Sequence, residues 1–174
     1  MKKIVLLIVL FSAKNWVMAQ ENTFPDNTNI YLVRHAEKEA GRDPQLTEVG
    51  KKRAGDLVRT LKDKKISRIY VTNYRRSWMT ADSLRLQLGI DTVVYIPDTT
   101  GVGLLTKIKE NNDFGKTILV VGHTNTIPHL IRVLGVDDYM TNDIPDEEFD
   151  NLYLVQYKKN KVYLEHKKYG AASR

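Results

Sequence analysis

A three-layer α/β/α sandwich around a mostly parallel sheet is the fold class that the sequence predicts, and three observations carry it. Six short segments are rich in β-branched and aromatic residues. The first four alternate with helical patterns, and the last two face each other across Lys159-Asn160 as a closing hairpin. Strands that alternate with helices pair in parallel, and their crossover helices cover both faces of the sheet.

The elements follow in order. Asn22 to Asn29 is a polar lead-in with one proline, and Ile30–Val33 is the first strand. Thr47 caps a helix in which Ala54, Leu57, Val58 and Leu61 keep the i, i+3, i+4, i+7 spacing. Ile69–Val71 is the second strand, and the helix after it carries Arg75 and Arg76 in its first turns and stops at Gly89. Val93–Ile96 is the third strand; Pro97-Asp98-Thr99-Thr100 then leads almost at once into a helix. Ile118–Val121 is the fourth strand, followed by a helix on Ile127, Leu130, Ile131 and Leu134, capped at Asn125 or Thr126 and stopped at Gly135. Asp137 to Asp150 is acidic and aperiodic, an irregular excursion before the strands Leu152–Tyr157 and Val162–Tyr169.

Composition bounds the possibilities. The 174 residues are 42% hydrophobic and 28% charged, enough for one sizeable core. Lys2 and Lys3 precede the apolar run Ile4 to Phe11, and Val17-Met18-Ala19 places small residues at a cleavage site, so residues 1–19 are expected to be a secretory signal peptide. The run stops at Lys14, short of the ~20 residues a membrane span needs. Residues 20–174 then form a single domain, secreted or periplasmic, with no stable membrane insertion. With no cysteine, the chain has neither a lipid attachment site nor disulfide or thiolate chemistry. Lys2, Lys3 and Lys14 leave with the leader and no acid does, so the net charge falls from +6 to +3. The remaining basic cluster, Lys158 to Lys168, alternates with Val162, Tyr163 and Leu164 as a solvated edge strand does, which argues against a nucleic-acid partner.

In an open parallel sheet, ligands bind beyond the carboxyl ends of the strands. Here the first strand ends at Arg34-His35, the fourth at Gly122-His123, and the second at Thr72 ahead of Arg75 and Arg76. Two histidines and at least two arginines converging on one crevice suit a phosphate dianion, because guanidinium forks match phosphoryl oxygens. No Walker-type glycine loop is present. A metal fits poorly among guanidinium groups without a carboxylate-rich cluster, and no cofactor is expected.

These residues carry a resemblance. "LVRHAEK" (Leu32 to Lys38) resembles the RHG/RHA signature of the histidine phosphatase superfamily, branch 1, the phosphoglycerate-mutase-like group. "VTNYRRSWMTA" (Val71 to Ala81) resembles its S-x-x-x-R-x-x-x-T-A segment, and "VVGHTNTI" (Val120 to Ile127) its second-histidine segment. "LTEVGKKRA" (Leu46 to Ala54) is similar to the family's first-helix entry.

The resemblance implies a phosphoglycerate mutase-like fold with His35 as nucleophile and Arg34, Arg76 and His123 as the phosphate-binding group. Thr124 and Asn125 are expected to cap the last helix, with a Thr124 backbone N–H near the phosphate. Arg75 is read as a solvated helix residue and His129 and His166 as structural. Thr72 stands for the usual serine, Met79 for a common glutamine and Ala36 for the commoner glycine. The general acid is assigned to Asp98, the nearest acid after the third strand, with Glu37, Glu147 and Glu148 as alternatives.

The expected function is an exported, metal-independent phosphomonoesterase that passes phosphate to His35 and then to water, acting on a phosphorylated small molecule or a phosphoprotein. The rivals are a protein phosphohistidine phosphatase and a non-catalytic phospho-ligand binding module. A mutase is disfavoured by the short insertion after the third strand, and the acid-phosphatase branch by Thr124 where its His-Asp pair needs an aspartate.

Overall fold

The computed structural model describes residues 24–173; the expected signal peptide, residues 1–19, lies outside the described residues. One six-stranded sheet runs in the order β3-β2-β4-β1-β5-β6. Its strands are β1 (Asn29–Arg34), β2 (Arg68–Thr72), β3 (Thr92–Tyr95), β4 (Thr117–Gly122), β5 (Asn151–Lys158) and β6 (Lys161–Lys168). The first four pair in parallel, and β5 and β6 join antiparallel. The three-layer, mostly parallel sandwich is therefore present, with strand ends within one or two residues of those expected.

The four helices are α1 (Glu48–Leu61), α2 (Arg75–Leu88), α3 (Val102–Glu110) and α4 (Ile127–Val133). Alternation along the central strands explains how they divide. Ile30, Leu32, Ile118 and Val120 point to one face, where Leu104 and Ile108 of α3 and Ile127, Leu130 and Ile131 of α4 cover them. Val33, Leu119 and Val121 point to the other, where they meet Leu57 and Leu61 of α1 and Ala81 and Leu84 of α2. A strand with both faces covered must be apolar at every position, which is why β1 and β4 read as unbroken hydrophobic runs.

Two capping expectations fare differently. The Thr47 side chain accepts from the Gly50 N–H, as expected of an N-cap. The cap position of α4 is Thr126, one of the two residues expected there, and not Thr124 or Asn125, but its hydroxyl accepts from the His123 N–H instead of from the helix. That hydroxyl has been diverted to hold the turn that presents His123. The hairpin turn at Lys159 and Asn160 has both residues at positive φ, so β6 folds back on β5 as an exposed outer strand. None of the described helices is long and apolar enough to cross a membrane.

Candidate active site

The parallel strands end together, and their last residues meet in a cleft of about 340 Å³ lined by Arg34, His35, Arg76 and His123, with Tyr74 and Asp146 beside them. His35 and all three members of the expected phosphate-binding group are brought together. Thr124 lines the same cleft.

His35 is held from three sides. Its own N–H donates to the Gly122 carbonyl (3.1 Å), joining the ends of β1 and β4. The Ala36 N–H donates to Thr80 Oγ1 (2.9 Å), and that hydroxyl donates in turn to the Arg76 carbonyl (2.8 Å), so α2 grips the turn after His35. Beneath it, the buried Arg53 guanidinium donates to both Glu37 oxygens (2.6 to 2.9 Å) and to the carbonyls of Tyr169 and Ala171. Helix α1 approaches this turn so closely that a Cβ at Gly50 would stand 2.1 Å from the Glu37 carbonyl oxygen. Only glycine fits there.

The ring itself has one fixed nitrogen. His35 Nδ1 lies 2.9 Å from the Ala36 carbonyl, which can only accept, so Nδ1 carries the hydrogen and Nε2 keeps its lone pair. Burial drives the His35 pKa down to about 3; the bond to Ala36 opposes the shift, and His123, Arg76 and Arg34 reinforce it. The imidazole is therefore neutral at physiological pH, the form a nucleophile requires.

His123 stands beside it, ring centroids 5.3 Å apart. Its Nε2 contacts Thr72 Oγ1 (3.0 Å), and its Nδ1 is 3.5 Å from Arg76 Nη2. Burial lowers its pKa to about 4, with Arg76 and then Arg34 adding to the effect.

Both arginines are immobilised. Arg34 Nη1 donates to the carbonyls of Pro145, Asp146 and Glu148 (2.8 to 3.2 Å), its Nη2 is 3.7 Å from Asp146 Oδ1, and the guanidinium lies 3.9 Å over the Phe149 ring. Arg76 lies 4.2 Å over the Tyr74 ring, whose edge also meets His123. Nε of each arginine is buried without a hydrogen-bond partner among the described residues.

The structure does not bring Asp98 to this cleft. Its carboxylate is committed to its own turn, accepting from the Thr100 N–H (2.8 Å), the Thr100 hydroxyl (2.5 Å) and the Gly103 N–H at the start of α3 (2.9 Å). Burial pushes its pKa up, but these bonds outweigh it and the net shift is downward, so the group is ionised and has no proton to donate. The alternatives are no better placed. Glu37 is paired with Arg53, the Glu148 carboxylate takes Asn151 and Lys168 (both 2.9 Å), and Glu147 is exposed and lies outside the cleft lining. Arg75 is exposed, and His166 bonds Asn151 and stacks on Tyr153, a structural role.

Three contributors escaped the sequence reading. Tyr74 sits inside the second motif, between Thr72 and Arg76, and its aromatic character there was the available signal. Ser77 follows Arg76 directly, and its hydroxyl contacts Thr72 Oγ1 (2.7 Å). The Pro145–Phe149 segment had no readable signal, because it acts mainly through backbone carbonyls.

Comparison with known proteins agrees with this geometry. Solved structures of the same fold include the phosphohistidine phosphatase SixA of Agrobacterium tumefaciens (17% identity, TM-score 0.57, 83% of this chain and 97% of that one). A protein histidine phosphatase SixA complexed with tungstate is similar at 18% identity and TM-score 0.59, covering 80% of this chain and 96% of that one. A mycobacterial glucosyl-3-phosphoglycerate phosphatase in complex with VO3 follows at 13% identity and TM-score 0.59, covering 83% of this chain and 99% of that one. No curated protein matches the chain by sequence. Residues 30–98, which span β1 to the end of the third crossover strand and include both His35 and Arg76, match the family model described as histidine phosphatase superfamily (branch 1). With the motifs in register and the cleft assembled from them, residues 30–98 are similar to branch 1 of the histidine phosphatase superfamily.

Proposed function

We propose that the protein is an exported, metal-independent phosphatase that transfers a phosphoryl group to His35 and then to water. One observation carries this reading: a neutral imidazole whose Nδ1 is tied to Ala36 presents a bare Nε2 in a cleft that also holds Arg34, Arg76 and His123. Attack by Nε2 forms the phosphorus–nitrogen bond as the leaving group departs with its electron pair, and water then displaces the imidazole to release inorganic phosphate. The arginines and His123 stabilise charge on the equatorial oxygens during both transfers. Two guanidinium groups supply the positive charge that a divalent ion provides in metal-dependent phosphatases. Likeness to proteins solved with tungstate and VO3, both oxyanions of phosphate shape, supports the same cleft chemistry.

The test is turnover of p-nitrophenyl phosphate by the secreted protein. Hydrolysis that survives EDTA and stops with vanadate is expected, with a phosphoenzyme stable to alkali and lost in acid. Dependence on an added divalent ion, or an acid-stable phosphoenzyme, overturns the reading. Export is tested separately by N-terminal mass analysis, which should begin at Gln20.

A protein phosphohistidine phosphatase is favoured by one further observation: Asp98 is bound to its own turn and is no proton donor. An alkoxide departs poorly unprotonated, whereas a phosphohistidine protonated on its other ring nitrogen loses a neutral imidazole and needs no proton from the enzyme. Likeness to the SixA structures points the same way. A phosphohistidine peptide turned over faster than glycerol phosphate supports this substrate class; the reverse order supports a phosphomonoester.

A further inference from the structure

Behind His123 lies a chain of three polar groups closed off from solvent. Ser77 Oγ contacts Thr72 Oγ1 at 2.7 Å, and Thr72 Oγ1 contacts His123 Nε2 at 3.0 Å. Ser77 and Thr72 are both completely buried. Neither hydroxyl has another hydrogen-bond partner among the described residues, so the two contacts account for the bonding these residues offer them.

Counting hydrogens decides the direction of the chain. If His123 Nε2 carried the ring hydrogen and donated to Thr72, then Thr72 would donate to Ser77, and the Ser77 hydrogen would be buried with no acceptor. If both Ser77 and His123 donated to Thr72, the Thr72 hydrogen would be stranded in the same way. Only one arrangement leaves nothing unpaired: Ser77 donates to Thr72, and Thr72 donates to the lone pair on His123 Nε2. Leaving a buried hydroxyl hydrogen without an acceptor is costly, so the fully paired arrangement prevails. The ring hydrogen of the neutral imidazole must then sit on Nδ1, the nitrogen beside Arg76 Nη2 on the cleft side.

We propose that Thr72 is a positioning residue which, with its oxygen engaged by Ser77, fixes the proton of His123 on Nδ1, so that the uncharged ring offers an N–H to a phosphoryl oxygen. The identity of that oxygen rests on the phosphatase reading; the placement of the proton does not. The 3.5 Å between Nδ1 and Arg76 Nη2 is then the spacing of two donors directed at one acceptor, and no hydrogen bond joins them. The two imidazoles of the cleft are held as the same tautomer for opposite ends. His35 turns its bare Nε2 to the ligand, and His123 turns its protonated Nδ1.

The experiment is a long-range proton–nitrogen NMR spectrum of the ¹⁵N-labelled protein at neutral pH without substrate, with His123 assigned by the loss of its signals in His123→Asn. His123 is expected with Nδ1 protonated and Nε2 bare; Nε2 protonated in the wild-type protein overturns the proposal. Thr72→Ser should retain the wild-type pattern. Thr72→Val should give a mixture of tautomers, with kcat/KM lowered about fivefold, the worth of one neutral hydrogen bond, whereas Ser77→Ala leaves Nε2 as the one acceptor for the Thr72 hydrogen and should keep the wild-type tautomer. A wild-type tautomer surviving in Thr72→Val also overturns it, since something other than the Thr72 hydroxyl then sets the proton. If the spectrum is as expected but neither p-nitrophenyl phosphate nor a phosphohistidine peptide is turned over, the phosphatase reading fails and the tautomer assignment stands.

Discussion

His35 and His123 occupy the ends of adjacent strands, are almost equally buried, and are both held neutral by that burial. What separates them is the partner behind each ring. A backbone carbonyl, which can only accept, stands behind His35; a hydroxyl backed by a second hydroxyl stands behind His123. In each case the group away from the ligand determines what the ring shows the ligand. A histidine's role in such a cleft is thus set one layer behind the atoms that react.

The largest break in this comparison is removal of the attacking ring. His35→Ala should lower turnover of p-nitrophenyl phosphate about 10⁵-fold or more while leaving the thermal transition near wild type, measured by activity and circular dichroism. Comparable residual rates in wild type and variant would place the nucleophile elsewhere.

Removing the other ring should cost less, because it takes away one donor and leaves the nucleophile in place. His123→Ala is expected to lower kcat by about 10²–10³-fold, with the phosphoenzyme on His35 still forming on long incubation. A loss as large as that of His35→Ala would mean that the two rings are not divided in this way.

The pH profile sharpens what they share. With pKa values of about 3 and about 4, both rings stay neutral far below the ordinary histidine value of 6.5. Activity should therefore persist at pH 5, where a His35 of ordinary pKa would be suppressed about 30-fold. Stability has a definite sign as well: the folded pKa values are depressed, so the unfolded chain takes up protons first. Stability should decline as pH falls below about 6.5, and this decline should be shallower in His35→Ala. Urea midpoints measured from pH 7 to pH 4 check it.

The smallest effect is expected at Asp98. Since its oxygens serve Thr100 and Gly103, Asp98→Asn should cost about 1 kcal/mol of stability through the start of α3. It should change rates on alkyl and aryl phosphates by the same factor, below about twofold. A selective loss on the alkyl ester would restore it as proton donor.

The ease of reading this molecule from its sequence follows where its information is stored. Strands β1 and β4 announce themselves because both faces are covered, and Arg34, His35 and His123 stand out as polar residues where apolar runs stop. The place of Asp98 outside the cleft lining could not be read, because an acid after a proline looks the same whether it faces a cleft or binds its own turn. Thr124 and Asn125 were misassigned as caps because the hydroxyl that matters, that of Thr126, is used to shape the turn at His123. The grip on Arg34 was invisible because carbonyls have no letter in a sequence, and Phe149 lies in a stretch without periodicity.

That grip, together with the one on Arg53, also orders events during synthesis. Arg34 takes its acceptors from residues 111 to 114 positions later, and Arg53 from residues 116 and 118 positions later. At ~5–20 residues per second, a ribosome needs several seconds to make that much chain. Throughout that interval the nascent polypeptide carries both arginines without the backbone that seats them, although β1 and its nucleophile have already been translated. The backbone that completes the cleft is therefore among the last parts of the described residues to be made.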